Sequence, residues 1–135
     1  MLEYLRKYKI YLIYLPLGLY WIALFIATSI PTEYIPAVGV SDKLNHFFAY
    51  LILSVLLNLT FIFQEKVTLL REFPAMFTLL FGSVYGIFDE LHQMLIPGRH
   101  AEILDWIADF IGVITGVLIV KLFLLRFNNK KLKNS

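Results

Sequence analysis

The 135-residue chain has no cysteine, and only 16% of its residues are charged, against about 25% in a soluble domain. Lack of cysteine removes disulfides, thiolate metal sites and cysteine nucleophiles together. Scarce charge combined with 59% hydrophobic residues excludes an ordinary water-soluble globule, and it excludes disorder as well. Twelve Lys and Arg against ten Asp and Glu leave a formal charge of +2, too little clustered basicity for a nucleic-acid partner. No repeat, low-complexity tract or linker interrupts the sequence. Any catalysis is left to carboxylates, His, Ser, Thr, Tyr or Lys.

What the chain does have is long apolar runs. Four stretches, roughly 10–30, 44–63, 73–95 and 103–125, each match the ~20 residues a bilayer span requires. They predict an all-α, four-helix transmembrane bundle occupying residues 1–135 as one domain. The first run should bend at Pro16, which removes a backbone donor. Arg6, Lys7 and Lys9 ahead of it, with Ala27-Thr28-Ser29 behind, imitate a signal peptide. Its apolar core is too long for one, so it is read as a membrane helix. Ser41 is placed as N-cap of the second helix with Asp42 in its first turn. Pro74 suits the first turn of the third, and Ile96-Pro97-Gly98-Arg99 reads as a tight turn. Short connections make the helices antiparallel neighbours. The Asn58-Leu59-Thr60 sequon falls inside a span, where glycosylation is not expected.

Basic residues give the orientation, since cytoplasmic flanks are enriched in them. Arg6, Lys7, Lys9, Lys66, Arg71, Lys121, Arg126, Lys130, Lys131 and Lys133 fall on one side, and only Lys43 and Arg99 on the other. Both termini are therefore expected in the cytoplasm.

With that orientation the remaining ionisable groups gather in the outer half. Lys43, His46 and Tyr50 share one face of the second helix at i, i+3 and i+7. On the third, Gly82, Gly86, Asp89 and Gln93 form one stripe, with Glu90 beside it. Asp105, Asp109, Gly112 and Gly116 repeat that spacing on the fourth. Each stripe couples acids to a small-xxx-small pattern that allows close helix approach. At 1.5 Å per residue Asp109 lies about 10 Å inside its helix end, where an uncompensated acid is costly. Asp89, Glu90, Asp105 and Asp109 outnumber Lys43 and Arg99 by two unless His46 or His92 is protonated. A proton, metal ion or cationic ligand could make up the difference, or Asp89 and Glu90 could sit in the wet head-group layer and need no partner. Arg99 is expected to pair with Asp105 across the turn.

In combination, Asp42-Lys43-x-x-His46 with Tyr50, Asp89-Glu90-x-x-Gln93 followed by Pro97-Gly98-Arg99, and Asp105 with Gly112 and Gly116 resemble the VanZ-like family of small bacterial membrane proteins. These blocks run from about 41 to 116. The family pattern usually carries Asn where Asp109 stands. The resemblance implies a multi-pass protein of the bacterial cytoplasmic membrane with a role like teicoplanin resistance, and it implies no particular cofactor.

The pocket expected from the second, third and fourth helices is lined by Asp42, Lys43, His46, Tyr50, Asp89, Glu90, Gln93, Arg99, Asp105 and Asp109. Its partner would be a membrane lipid, a lipid-linked envelope precursor or a glycopeptide, with Lys43 and Arg99 receiving phosphate or carboxylate. A homo-oligomer is also considered as a partner state, since four short spans would support transport only in that form. Two other classes compete with binding. A membrane-embedded hydrolase would use His46 and the carboxylates as acid, base or metal ligands, but no HExxH motif occurs and no base stands near Ser83 or Thr115 in sequence. A proton-coupled transporter would relay through Asp109 and His46. Catalytic and metal-ligating residues are not assigned by sequence.

Overall fold

A computed structural model of the chain describes residues 1–34 and 41–133, with side chains up to residue 127. The side chains of Lys130, Lys131 and Lys133, counted above for orientation, lie outside the described residues. Six α-helices and no strand occur among the described residues: α1 Leu2–Lys7, α2 Leu15–Thr28, α3 Asp42–Phe63, α4 Thr68–Glu72, α5 Pro74–Gln93 and α6 Ile103–Lys133. The short α1 and α4 were not anticipated. In α1, Glu3 in the first turn and Arg6 and Lys7 in the last complement the helix dipole.

Three stretches, Ile10–Thr28, Asp42–Phe63 and Ile103–Phe127, are long and apolar enough to cross a membrane. With 20 residues, α5 is long enough at about 30 Å. Its glycines and its Asp89, Glu90, His92 and Gln93 leave it short of the same apolarity. Of these, Asp89, Glu90 and Gln93 turn inward and are buried, as is Thr78.

The expected bend at Pro16 takes a specific form. A π-helical turn spans Ile10–Tyr14, in which the Leu15 N–H reaches back to the Ile10 carbonyl, and α2 then starts afresh with proline in its first turn. The wide turn leaves the proline where its missing N–H costs nothing. Ser41 occupies the N-cap of α3 with Asp42 in the first turn, although its hydroxyl makes no capping bond.

Two tethers define the ends of the bundle. Lys9 Nζ pairs with Glu65 at 2.9 Å and donates to the Phe63 carbonyl at 3.3 Å, joining the start of the chain to the connection after α3. At the other end Thr32 Oγ1 donates to the Gly98 carbonyl at 2.6 Å. Gly98 has φ +77°, the left-handed conformation the tight turn demands.

α3 is the central helix. The core comprises Leu17 from α2, Tyr50, Leu53, Leu57 and Phe61 from α3, and Val113 from α6. The glycine stripes do what their spacing predicted. A Cβ on Gly112 would collide with the Phe47 carbonyl oxygen, and one on Gly116 would lie 2.7 Å from that of Leu51, so α6 lies backbone to backbone on α3. Gly82 receives the Val113 side chain, and Gly86 faces Asp109 and Trp106. Ser54 Oγ donates to the Val113 carbonyl at 2.8 Å. The sequon residue Asn58 is buried and bonds Thr78 Oγ1 of α5 at 2.9 Å.

Candidate functional site

One turn into α3, the face carrying His46 and Tyr50 meets the acidic ends of α5 and α6. Close glycine contacts bring the three helices near enough for direct side-chain pairing. His46 Nδ1 lies 2.9 Å from Asp109 Oδ1 and 3.8 Å from Glu90 Oε1. All three residues are buried, Asp109 completely. An ionised Asp109 accepting from Nδ1–H leaves Nε2 as the free atom of the imidazole. Glu90 also accepts the Glu102 backbone N–H through Oε2 at 2.8 Å, which anchors the chain just before α6.

Lys43 sits at the rim. Its Nζ lies 2.6 Å from Glu102 Oε2 and 3.0 Å from Asp105 Oδ1. Glu102 lies outside the membrane-spanning segments, and the Lys43 hydrogen bond and charge hold its carboxyl below the ordinary value. Arg99 does not meet Asp105, contrary to the sequence expectation. Its guanidinium donates to Gln93 Oε1 at 2.9 Å, the Ile30 carbonyl at 3.1 Å and the Ala27 carbonyl at 3.1 Å. The turn carries Arg99 toward the end of α2, where unpaired helix carbonyls accept it, while Asp105 faces α3 and takes Lys43. Both cations are therefore already engaged by groups of the chain itself.

A cavity of about 340 Å³ opens beside this cluster. Leu24, Ala27 and Ala49 form an apolar wall, and Asp42, His46, Tyr50, Asp89 and Arg99 a polar one. The cavity thus lies among α2, α3, α5 and the turn, not among the second, third and fourth predicted helices alone. Lys43, Gln93, Asp105 and Asp109 are not among the residues lining this cavity, and Glu90 borders a second cavity of about 340 Å³ with Glu102 and Trp106. Tyr50 is 1% exposed, and its hydroxyl has no hydrogen-bond partner among the described residues. Asp89 accepts a long 3.5 Å bond from Gln93.

Sequence reasoning missed the contribution of α2. Thr28 lines the cavity, and Ser29 Oγ lies 2.9 Å from His92 Nε2, with His92 stacked on Phe25 at 4.8 Å. The Ser29 hydroxyl donates to the Phe25 carbonyl at 2.6 Å, which makes Ser29 Oγ the acceptor in its contact with His92. Helix α2 carries no charge to mark its inner face, so no periodic polar pattern identified it. Two groups bring ligand atoms within 4.8 Å of one another, Asp42 with His46 and Asp105, and His46 with Glu90 and Asp109.

No curated protein and no solved structure gives a significant match to the chain. The family model described as VanZ/LLP1 matches residues 8–124, a span that takes in α2 through most of α6, both cavities and every residue of the polar cluster. The chain belongs to the VanZ/LLP1 family.

Proposed function

We propose that this chain is a multi-pass protein of the bacterial cytoplasmic membrane that holds part of an envelope amphiphile in its outward-facing pocket. In this reading α2, α3, α5 and α6 are the four crossing helices of a single domain, and both termini are cytoplasmic. The observation that carries it is the two-sided cavity, with Leu24, Ala27 and Ala49 against Asp42, His46 and Asp89. An apolar wall meeting hydrogen-bonding groups fits a molecule with both characters. Because Lys43 and Arg99 are occupied, acceptors dominate the polar wall, which suits hydroxyl and amine donors better than phosphate. A membrane lipid, a lipid-linked precursor and a glycopeptide-related ligand all carry such donors. Altered susceptibility to teicoplanin would be the cellular consequence.

Native mass spectrometry of the detergent-purified protein tests this directly. The wild type should retain one amphiphile, and Ala49→Trp, which fills the cavity, should lose it while keeping a monodisperse elution profile. Equal retention by both proteins, or none by the wild type, would remove the pocket as a binding site.

A further inference from the structure

We infer that His46, Glu90 and Asp109 form a binding site for one first-row divalent cation, such as Zn²⁺ or Mn²⁺. Each residue comes from a different helix, α3, α5 and α6 respectively. Their candidate donor atoms all lie within 4.8 Å of one another, with His46 Nδ1 at 2.9 Å from Asp109 Oδ1 and 3.8 Å from Glu90 Oε1. Donors at about 2.0–2.1 Å from such an ion stand roughly 3 to 3.5 Å apart, so a small adjustment, with loss of the proton that His46 Nδ1 shares with Asp109, brings the three into a common shell.

Two observations separate this group from an ordinary acidic cluster. Glu90 Oε1 and Asp109 Oδ2 have no hydrogen-bond partner among the described residues, although Glu90 is 7% and Asp109 0% exposed. Buried carboxylate oxygens in that condition are costly unless something supplies charge. Of the buried acids, Asp105 has Lys43, but Glu90 and Asp109 touch no Lys or Arg among the described residues. A divalent cation would neutralise both at once. One imidazole with two carboxylates suits zinc, manganese or ferrous iron, whereas calcium and magnesium favour an all-oxygen shell. Access exists from two sides, since His46 lines the first cavity and Glu90 the second. The other triad is weaker, because its Asp105 is held by Lys43 and its Asp42 is exposed.

The full chain, purified in detergent and stripped with a chelator, should bind one equivalent of Zn²⁺ or Mn²⁺ in calorimetry and elemental analysis, with a higher unfolding temperature. Asp109→Asn and Glu90→Gln should each weaken affinity more than about tenfold, given that even outer-shell partners of metal ligands cost about 10- to 100-fold. Glu65→Gln, at the opposite end of the bundle, should leave binding unchanged. Absence of saturable binding by the stripped wild type overturns the site whatever the variants do, as does binding that survives both substitutions. The inference does not depend on the amphiphile, whose retention by the wild type is read separately.

Discussion

His46 and Asp109, 63 positions apart in the chain, are joined by a 2.9 Å contact between Nδ1 and Oδ1 that fastens α3 to α6 in a fully buried setting. Removing one partner strands the other, at about 3–5 kcal/mol for a buried pair. His46→Ala and Asp109→Ala should each lower stability on that scale, and the double variant should lose less than their sum. Asp109→Asn should cost a fraction as much, because the amide oxygen still accepts. Chemical denaturation in detergent provides the cycle, and strict additivity would argue that the contact contributes nothing.

The glycines divide into two kinds. Gly112→Ala drives a methyl group into the Phe47 carbonyl of α3, an obstacle that cannot rotate away. It should cost at least the roughly 1–3 kcal/mol of ordinary overpacking. Gly18→Ala on α2 meets nothing within 4 Å and should stabilise by about 0.5–1 kcal/mol through helix propensity alone. Thermal-shift measurements on the two variants should move in opposite directions.

Arg99 acts on the end of α2 and on Gln93, so its effect should be independent of Asp105. Arg99→Lys keeps the charge but not the planar fork that serves three acceptors. A loss of about 1 kcal/mol is expected from the missing hydrogen bonds. Arg99→Ala combined with Asp105→Ala should be additive to within about 0.5 kcal/mol. A larger coupling energy would show that the two side chains communicate.

Acidification should release the rim. Glu102 has its carboxyl lowered from the ordinary value of 4.5 by the Lys43 hydrogen bond, so its contribution is complete above that pH and is lost as pH falls through the lower folded value. Glu102→Gln should flatten this part of the acid limb of a stability-against-pH curve. An unchanged limb would mean that Asp105 alone holds Lys43.

Orientation is open to single-cysteine labelling in an otherwise cysteine-free chain. His100→Cys, exposed in the α5–α6 turn, should react with an impermeant thiol reagent on intact cells. Lys66→Cys, exposed before α4, should react only after lysis. The reverse pattern would place the polar cluster on the cytoplasmic side.

Helical periodicity made individual faces legible. His46 with Tyr50, Asp105 with Asp109, and the four glycines all lie on faces that meet another helix, as their spacing predicts. Which face meets which was not legible, because crossing geometry decides it. Sequence proximity suggested Arg99 with Asp105, yet Arg99 turns to the carbonyls of Ala27 and Ile30, 72 and 69 positions away. Polar groups also vanished from view when they acted singly, as with Asn58 and Thr78, whose one buried bond links two helices. Pro16 announced a disturbance but not its form, since a π turn depends on where the chain must re-enter the bundle.

The contact of α3 and α6 at Gly112 and Gly116 divides the molecule mechanically. Where backbone rests on backbone, neither helix can slide or rotate without an immediate clash, so these two behave as one stiff slab. The Ile10–Thr28 stretch is held far more lightly, with 11% of its most apolar 18-residue window buried against 44% and 39% for the corresponding windows of the two slab helices. It is fastened near the cavity by the Tyr20 hydroxyl on the Ala49 carbonyl at 2.9 Å and by the grip of Arg99. That makes α2 a side panel of the cavity, attached by side-chain bonds and by Leu17 in the core, whereas the slab that bears His46 and Asp109 is fitted backbone to backbone.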